Sequence, residues 1–205
     1  MEKKKYVVTI QRQFGSLGRP IAKKMAEKLG IEFYDRDIVE QTAAKLALPV
    51  SDVEKIEESD KLVEHNPFWR MMFPLGRENT ETQDKIFEAQ SNIIKFLAER
   101  ESCIIVGRCA DFVLSEEENI LNVFIYAPYA ERVKNCIDCL KLTENEAKKM
   151  CYEVDEARAA YQLKHAGYKA RDRFTEHIMI DSSVFGVEGT ADYLVEAVKR
   201  RFDLE

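Results

Sequence analysis

Residues 13–20, QFGSLGRP, combine two glycines, a hydroxyl and a cation in one short loop. A glycine-rich loop between a strand and a helix leaves backbone N–H groups unpaired at the positive end of the helix dipole, where they bind phosphate. Gly15 and Gly18 would let the backbone close around the anion. Ser16 would add a hydroxyl and Arg19 a positive charge. An ordinary strand-to-helix turn with a solvent-facing arginine is the alternative.

The loop departs from the usual phosphate-loop pattern, G-x-x-x-x-G-K-[ST], at its last two positions. Arg19 stands where the pattern has lysine, and Pro20 stands where it has a hydroxyl residue. Proline is acceptable in the first turn of a helix, because the N–H that it lacks would be unpaired there anyway. Taken alone, the loop leaves phosphate binding and a plain turn equally open.

A second candidate group follows the apolar run CIIVG, which predicts a strand covered on both faces. Arg108 comes directly after this run, at the carboxyl edge where open α/β sheets bind their ligands. A guanidinium suits an anion at this place because its planar fork grips two phosphate oxygens at once.

The stretch VDEARAAYQLKHAGYKARDR, residues 154–173, predicts a helix followed by a turn at a glycine. Positive groups that close over a transferring phosphoryl group neutralise its developing charge and exclude water. The candidates for this task are Arg158, Arg171 and Arg173. A solvated basic helix end is the alternative interpretation.

The elements that must position these residues alternate between strand and helix, which predicts a parallel sheet with right-handed crossovers. The predicted strands are Tyr6–Ile10, residues 31–35, Cys103–Gly107, Asn122–Ala127 and Ile178–Asp181. The predicted helices are residues 21–29, most of 38–61, and Thr82–Glu101, Tyr129–Cys139, Glu144–Leu163 and Gly189–Phe202.

The composition narrows the class of protein. A chain of 205 residues with net charge −6 fits one globular domain and has no excess of positive charge for a nucleic-acid polymer or an anionic membrane. Five cysteines, an odd number, do not predict a disulfide framework, and we interpret the CIDC motif as ordinary helix cysteines. No secretory signal or membrane-spanning run is visible, so we expect a cytoplasmic protein.

Three segments together resemble the cytidylate kinase-like family, relatives of the P-loop nucleoside monophosphate kinases: VTIQRQFGSLGRPIAKKMAEKLGIEFYDRDIV, IIVGRCADFVL and VFIYAPYAERV. The resemblance implies a P-loop NTPase-type three-layer sandwich with a five-stranded parallel sheet. It also implies ATP as donor, Mg²⁺, and a small phosphorylated acceptor similar to CMP or dCMP. Residues 1–205 would form one kinase-like domain, with an acceptor-binding helical insertion at 38–101 and a lid at 154–176.

The resemblance also implies roles for particular residues. Catalysis would depend on Arg19, Arg108 and Arg158, the last in a D-x-x-R spacing typical of the lid. The ATP phosphates and adenine would lie against Gly15, Ser16, Leu17, Gly18, Arg19, Pro20, Asp181, Ser182 and Ser183. The acceptor would contact Asp35, Arg36, Arg108 and Asp111. Since Pro20 has no hydroxyl, Ser16 or water would have to bind Mg²⁺.

Several alternatives stay open at this point. Asp111 either binds the acceptor base or caps a helix, and residues 181–183 either meet adenine or form a capping turn. The acceptor is either a nucleoside monophosphate or another small molecule, since a fold does not determine the substrate. Leu17, Pro20 and the absence of an acidic residue at the end of CIIVG also fit a nucleotide-binding regulator with little turnover.

Overall fold

The computed structural model describes residues 5–35, 38, 44, 80–168 and 175–204. Arg36, Arg171, Arg173 and most of the predicted insertion lie outside the described residues, and so does the predicted helix within 38–61. Across the ranges that are described, the helices are each too short or too polar to cross a membrane.

Five parallel strands form the sheet, as the sequence predicts, in the order β2-β3-β1-β4-β5. They are β1 (Val7–Arg12), β2 (Glu32–Tyr34), β3 (Cys103–Val106), β4 (Ile120–Tyr126) and β5 (Ile178–Asp181). β1 lies at the centre, and its register pairs Val8 with Ile104 on one side and with Leu121 on the other. The loop that follows β1 therefore leaves the sheet from its middle strand.

The described helices are α1 (Gly18–Leu29), α2 (Thr80–Arg100), α3 (Ala110–Val113), α4 (Tyr129–Leu140), α5 (Glu144–Ala166) and α6 (Ser182–Arg201). α1 ends at Gly30, whose left-handed backbone is the usual helix stop. α5 begins with a capping box made by Thr143 and Glu146 and ends at Gly167. The end of α5 at Gly167 confirms the prediction of a helix that stops at this glycine.

The two faces of the sheet bury different clusters because successive side chains of a strand point to opposite faces. Val8 and Ile10 of β1 pack with residues of α1 and α6, whereas Val7 packs with residues of α2 and α3. This three-layer arrangement holds the carboxyl ends of β1, β2 and β3 at one edge of the molecule.

Several boundaries differ from the prediction, and two of these differences concern the site. β1 continues past Ile10 and ends at Arg12, so Arg12 belongs to the strand. α6 begins at Ser182 and not at Gly189, because Asp181 caps it by accepting the Ser183 N–H at 2.9 Å. A kink at Gly186, with φ 64° and ψ −170°, lies inside this helix, which is why the glycines there resemble a break in the sequence.

Candidate anion-binding site

The glycine loop runs from Gln13 to Leu17 and enters α1 at Gly18. Gly15 has φ 75° and Leu17 has φ 59°, a left-handed conformation that is uncommon for leucine. Across the described part of the chain, the N–H groups of Gly15, Leu17 and Gly18 have no hydrogen-bond partner. The loop therefore presents unpaired amides at the N-terminus of a helix, the arrangement that the sequence predicts for binding phosphate.

Ser16 stabilises the loop through hydrogen bonds on its buried side. Its residue is completely buried, and its hydroxyl donates to the carbonyl oxygens of Gln13 at 2.9 Å and Ile125 at 3.2 Å. Ser182, at the start of α6, donates its own hydroxyl to the Ser16 carbonyl at 2.7 Å. Because Ser16 is completely buried, its hydroxyl oxygen is not exposed to a ligand, and its predicted metal role gains no support from this geometry.

Phe14, also in the loop, is held through its backbone by α4 and α5. Asp155 of α5 accepts the Phe14 N–H at 2.8 Å, and Arg132 of α4 donates to the Phe14 carbonyl at 3.1 Å. The loop also packs closely against α4 at Gly15, where an added Cβ would be 2.6 Å from the Arg132 carbonyl oxygen. The loop has little room to change its shape while these helices stay in place.

Arg19 forms an ion pair with Asp35, with 2.8 Å between Nε and Oδ2. Arg19 is the second residue of α1, and Asp35 follows β2, so the pair connects the glycine loop to the acceptor side of the predicted site. A cation in the first turn of a helix faces the positive end of the dipole. The Asp35 carboxylate supplies the negative charge that compensates it.

Arg108 lies in a turn with unusual backbone geometry directly after β3. Gly107, Arg108 and Cys109 all have positive φ, at 76°, 59° and 52°. Non-glycine residues adopt this conformation rarely and at an energetic cost, and such residues are concentrated at functional sites. The Nε atom of Arg108 is buried, and no hydrogen-bond partner reaches it from the described residues.

Arg158 reaches the same place from α5, where its Nη1 donates to the backbone carbonyl of Arg12 at 3.1 Å. Burial lowers the pKa of Arg158 well below its usual value, and the neighbouring charge of Arg12 adds to this effect. The structure thus brings Arg158 to the end of β1, close to the other predicted site residues.

Arg12 is a residue of this site that the sequence analysis missed. Burial of its guanidinium lowers the pKa to about 10; Asp35 opposes the shift, while Arg108 and Arg19 add to it. Arg12 therefore lies within electrostatic range of both arginines and stays charged at neutral pH. Its place at the carboxyl end of a central strand, next to a glycine loop, is the signal that could have identified it.

Positive charge exceeds negative charge in this cluster. The two carboxylates nearest to it are already engaged: Asp35 pairs with Arg19, and Asp155 pairs with Arg132 at 2.6 Å. Three further guanidinium groups have no carboxylate partner in the described ranges, namely those of Arg12, Arg108 and Arg158. Such a cluster attracts an anion with more than one negative charge.

Asp111 is not a helix cap, because Cys109 occupies the cap position of α3. Asp111 is instead buried, and both of its oxygens accept hydrogen bonds. Gln11 donates to Oδ1 at 3.0 Å, while Gln162 at 2.9 Å and Tyr168 at 2.8 Å donate to Oδ2. Asp111 therefore connects β1, α3 and α5, and its predicted contact with an acceptor would compete with these bonds.

Glu176 lies near Asp111 and is also buried. Neither carboxyl oxygen of Glu176 has a hydrogen-bond partner in the described part of the structure. Burial raises the pKa of Glu176 to about 8, and the charge of Asp111 adds to the increase. At neutral pH this side chain is mostly a neutral acid. Nothing in the sequence around it distinguishes it from a surface glutamate.

Residues 181–183 form the capping turn that was one of their two interpretations. Asp181 accepts hydrogen bonds from the Ser183 N–H at 2.9 Å and from the Ser183 hydroxyl at 2.7 Å. Ser182 is buried and donates to Ser16 and Tyr126, so this turn adjoins the glycine loop. The predicted contact of these residues with ATP stays a prediction.

The two CIDC cysteines of α4 differ in burial. Cys136 is buried, with its sulfur 4.0 Å from that of Cys151 in α5, and Cys139 is exposed. The described residues contain no group of three or more His, Cys, Asp or Glu side chains placed to hold a metal ion.

Comparison with solved structures gives matches over nearly the whole length of the chain. An uncharacterized protein from Eubacterium ventriosum is 24% identical, with a TM-score of 0.69 and coverage of 96% of this chain and 99% of that chain. A shikimate kinase from Bacteroides thetaiotaomicron is 11% identical, with a TM-score of 0.56 and coverage of 97% and 99%. A gluconokinase from Sinorhizobium meliloti is 12% identical, with a TM-score of 0.51 and coverage of 97% and 91%. These likenesses show a kinase-type α/β fold.

A search of curated proteins returned no match. The model of one protein family, described as the cytidylate kinase-like family, matches residues 7–184, which include β1, the glycine loop, all three unpaired arginines and β5. This chain belongs to the cytidylate kinase-like family.

Proposed function

We propose that this protein transfers the γ-phosphoryl group of ATP to a small phosphorylated acceptor, with CMP and dCMP as the first candidates. The observation that carries the proposal is the cluster of three guanidinium groups, at the end of β1, after β3 and within α5, that have no carboxylate partner among the described residues. Membership of the cytidylate kinase-like family supports a nucleotide as substrate.

The donor's phosphates would bind at the glycine loop. The unpaired N–H groups of Gly15, Leu17 and Gly18 point to a phosphate there, and the dipole of α1 favours its negative charge. Arg19 would contribute charge from the first turn of α1. The turn at residues 181–183 adjoins the loop through Ser182 and would lie on the adenine side.

The acceptor would bind on the other side of the loop, where β2 and β3 end. Asp35 follows β2 and Arg108 follows β3, and these strands are neighbours in the sheet. Arg158 would act from α5, over the transferring group. Of the residues predicted beside them, Arg36, Arg171 and Arg173 lie outside the described residues.

The described residues do not form a ready Mg²⁺ site. Ser16 is completely buried, Pro20 has no hydroxyl, and the Asp35 carboxylate is paired with Arg19. Mg²⁺ commonly binds through substrate phosphates and water with few protein ligands. It therefore enters this proposal as part of the Mg–ATP substrate, and no step is assigned to a protein-bound metal.

The chemistry itself needs little beyond positioning and charge. An oxygen of the acceptor phosphate forms a bond to the γ-phosphorus, the bond from that phosphorus to the β–γ bridging oxygen breaks, and ADP leaves with the electron pair. The attacking oxygen is already anionic, so no base has to remove a proton. Arginines supply what remains, which is alignment and stabilisation of the spread negative charge.

One observation favours a second candidate, a kinase for a different acceptor. Asp111 is buried and its carboxylate already accepts three hydrogen bonds, from Gln11, Gln162 and Tyr168, which leaves little of it available to a base. The buried hydroxyl of Ser16 likewise fits the third candidate, a nucleotide-binding regulator with little turnover.

The test is phosphoryl transfer from Mg–ATP to a panel of acceptors, with products separated by chromatography. The panel contains CMP, dCMP, the other nucleoside monophosphates, shikimate and gluconate. We expect a nucleoside diphosphate as product. Arg108→Met should lower kcat/KM by about 100-fold or more, in line with the loss of one charge-stabilising group.

Arg200→Met serves as the matched control, because Arg200 is 80% exposed and lies on α6 at the end remote from the loop. If only shikimate or gluconate gave a product, the acceptor would be a carboxylic acid and not a nucleotide. No product from any acceptor, together with ATP binding, would support the regulator instead.

A further inference from the structure

Arg12 occupies a space that two glycines leave open. A Cβ added to Gly18 would lie 2.7 Å from Cβ and 3.1 Å from Cγ of Arg12, so the stem of the side chain passes directly against α1. A Cβ added to Gly107 would lie 2.5 Å from Nη1 of Arg12, so the guanidinium lies against the turn after β3. Gly18 and Gly107, which are 89 positions apart, therefore make room for one arginine.

The side chain also has a definite direction. Gly107 follows β3, and β3 lies between β1 and β2 in the sheet, whereas β4 and β5 lie on the opposite side of β1. The Arg12 guanidinium thus leans from the end of β1 towards the ends of β3 and β2. That side carries Arg108 and Asp35, and the turn at residues 181–183 lies on the other.

Among the described residues, no carboxylate forms an ion pair with this guanidinium. Asp35 is paired with Arg19 and Asp155 with Arg132, and in the described ranges no hydrogen bond or ion pair reaches the Arg12 side chain. A partly buried charge without a partner is unfavourable. A bound anion would neutralise the Arg12 guanidinium. The same anion would also accept a hydrogen bond from the buried Nε of Arg108.

We propose that Arg12 binds the phosphate of the acceptor together with Arg108 and Arg158, and that this three-arginine pocket selects phosphorylated acceptors over carboxylic acids. The inference rests on the proposed phosphoryl transfer. It adds Arg12 to the acceptor site and a preference for acceptors that carry a phosphate group. Three cations match a dianionic phosphate with several oxygens better than a singly charged carboxylate, and each guanidinium can bind two oxygens at once.

The first test is steady-state kinetics of Arg12→Met and Arg12→Lys with the best acceptor from the panel. We expect Arg12→Met to lower kcat/KM for the acceptor by about 100-fold while KM for ATP changes less than about threefold. Arg12→Lys should recover part of the loss, and added methylguanidine should partly rescue Arg12→Met. Arg200→Met is the control for removal of a surface arginine.

Arg12→Met is expected to fold, because it removes a partly buried charge that has no carboxylate partner among the described residues, and circular dichroism with thermal unfolding checks this. If Arg12→Met unfolds, Arg12→Lys carries the test. An unchanged kcat/KM for the acceptor, or an equal rise of both KM values, would overturn the assignment of Arg12 to the acceptor.

A binding measurement separates this inference from the proposed function. Inorganic phosphate and acetate are titrated into the wild-type protein and Arg12→Met by calorimetry. We expect the wild-type protein to bind phosphate more tightly than acetate, and Arg12→Met to lose at least tenfold in phosphate affinity. If the wild-type protein transfers no phosphoryl group but shows this pattern, the proposed function fails and the pocket stands. Equal binding of phosphate and acetate, or no binding of phosphate, overturns the pocket.

Discussion

Asp155 and Arg132 hold one residue of the glycine loop by both of its backbone polar groups, and they also pair with each other. Asp155 accepts the N–H of Phe14, Arg132 donates to the Phe14 carbonyl, and 2.6 Å separates the two charged groups. Because these side chains come from α5 and α4, the shape of the loop depends on how the two helices pack. In the D-x-x-R spacing of α5, the aspartate thus binds the glycine loop and the arginine binds the carbonyl of Arg12 at the end of β1.

Asp155→Ala tests the contribution of this ion pair, which we call the Asp155–Arg132 clamp. It leaves Arg132, whose side chain is 9% exposed, without its carboxylate, and we expect the free energy of unfolding to fall by about 3 kcal/mol. Asp155→Asn keeps an acceptor for the Phe14 N–H and should lose less. Urea unfolding followed by circular dichroism measures both. The control is Glu196→Ala, whose pair with Arg200 is exposed and should contribute less than about 1 kcal/mol. Similar losses for Asp155→Ala and Glu196→Ala would contradict the clamp.

Gly15→Ala and Gly30→Ala form a matched pair. Both glycines have left-handed backbones, with φ 75° and 64°, so alanine is strained by about 1 kcal/mol at either position. Only at Gly15 does the added Cβ also approach a backbone atom, the Arg132 carbonyl oxygen, to 2.6 Å, whereas at Gly30 nothing lies within 4 Å. We expect Gly30→Ala to lose about 1 kcal/mol and Gly15→Ala at least about 3 kcal/mol together with its affinity for ATP. Equal stability losses for the two variants would show that the loop moves to accommodate the methyl group at residue 15.

Gly107→Ala should act through Arg12. The new methyl group would displace the guanidinium, whose Nη1 lies 2.5 Å from it, so we expect at least a tenfold loss of kcat/KM for the acceptor. In the Arg12→Met background this group is already gone, and Gly107→Ala should then add less than about threefold. Kinetics of the single and double variants measure the coupling. Fully additive losses would mean that Gly107 acts through its own backbone.

Glu176 predicts a pH dependence of stability. The pKa of this carboxyl is raised from 4.5 to about 8 in the folded protein, so between these values the folded state holds a proton that the unfolded chain releases. The free energy of unfolding therefore decreases as the pH rises through this window. Glu176→Gln stays neutral and should be more stable than the wild type at pH 8 by about 4 kcal/mol, with little difference near pH 4.5.

Denaturant unfolding at several pH values measures this difference. Glu156→Gln is the control, because Glu156 lies on the exposed side of α5 and should leave the pH profile unchanged. If the profiles of the wild type and Glu176→Gln run parallel, Glu176 does not titrate within that window.

The sequence predicts the parts of this protein that depend on local pattern. The apolar runs identify all five strands, and the position of Arg108 after one of them places it correctly at the edge of the sheet. Glycines at the ends of α1 and α5 mark where these helices stop. The residue after a helix often adopts the left-handed conformation, which glycine does most easily because it has no Cβ.

The sequence does not show contacts between distant segments. Arg12 appears as the polar end of a strand until Gly18 and Gly107 are seen to enclose it. Asp111 has the position of a ligand residue, yet its partners are contributed by β1 and by residues of α5 and beyond, 51 to 100 positions away in the chain. No short window contains such pairs, so only the folded structure assigns these side chains.

The hydrogen bond from Arg158 to the Arg12 carbonyl joins residues 146 positions apart. Contacts with such long sequence separation form late in folding, because the entropy of closing the intervening chain is lost before they can stabilise anything. A nascent chain that ends before α5 can hold β1 and the glycine loop but lacks Arg158. High affinity for a phosphate dianion would therefore be acquired at the last long-range docking step, and the time at which a refolding chain gains it would report when α5 joins the sheet.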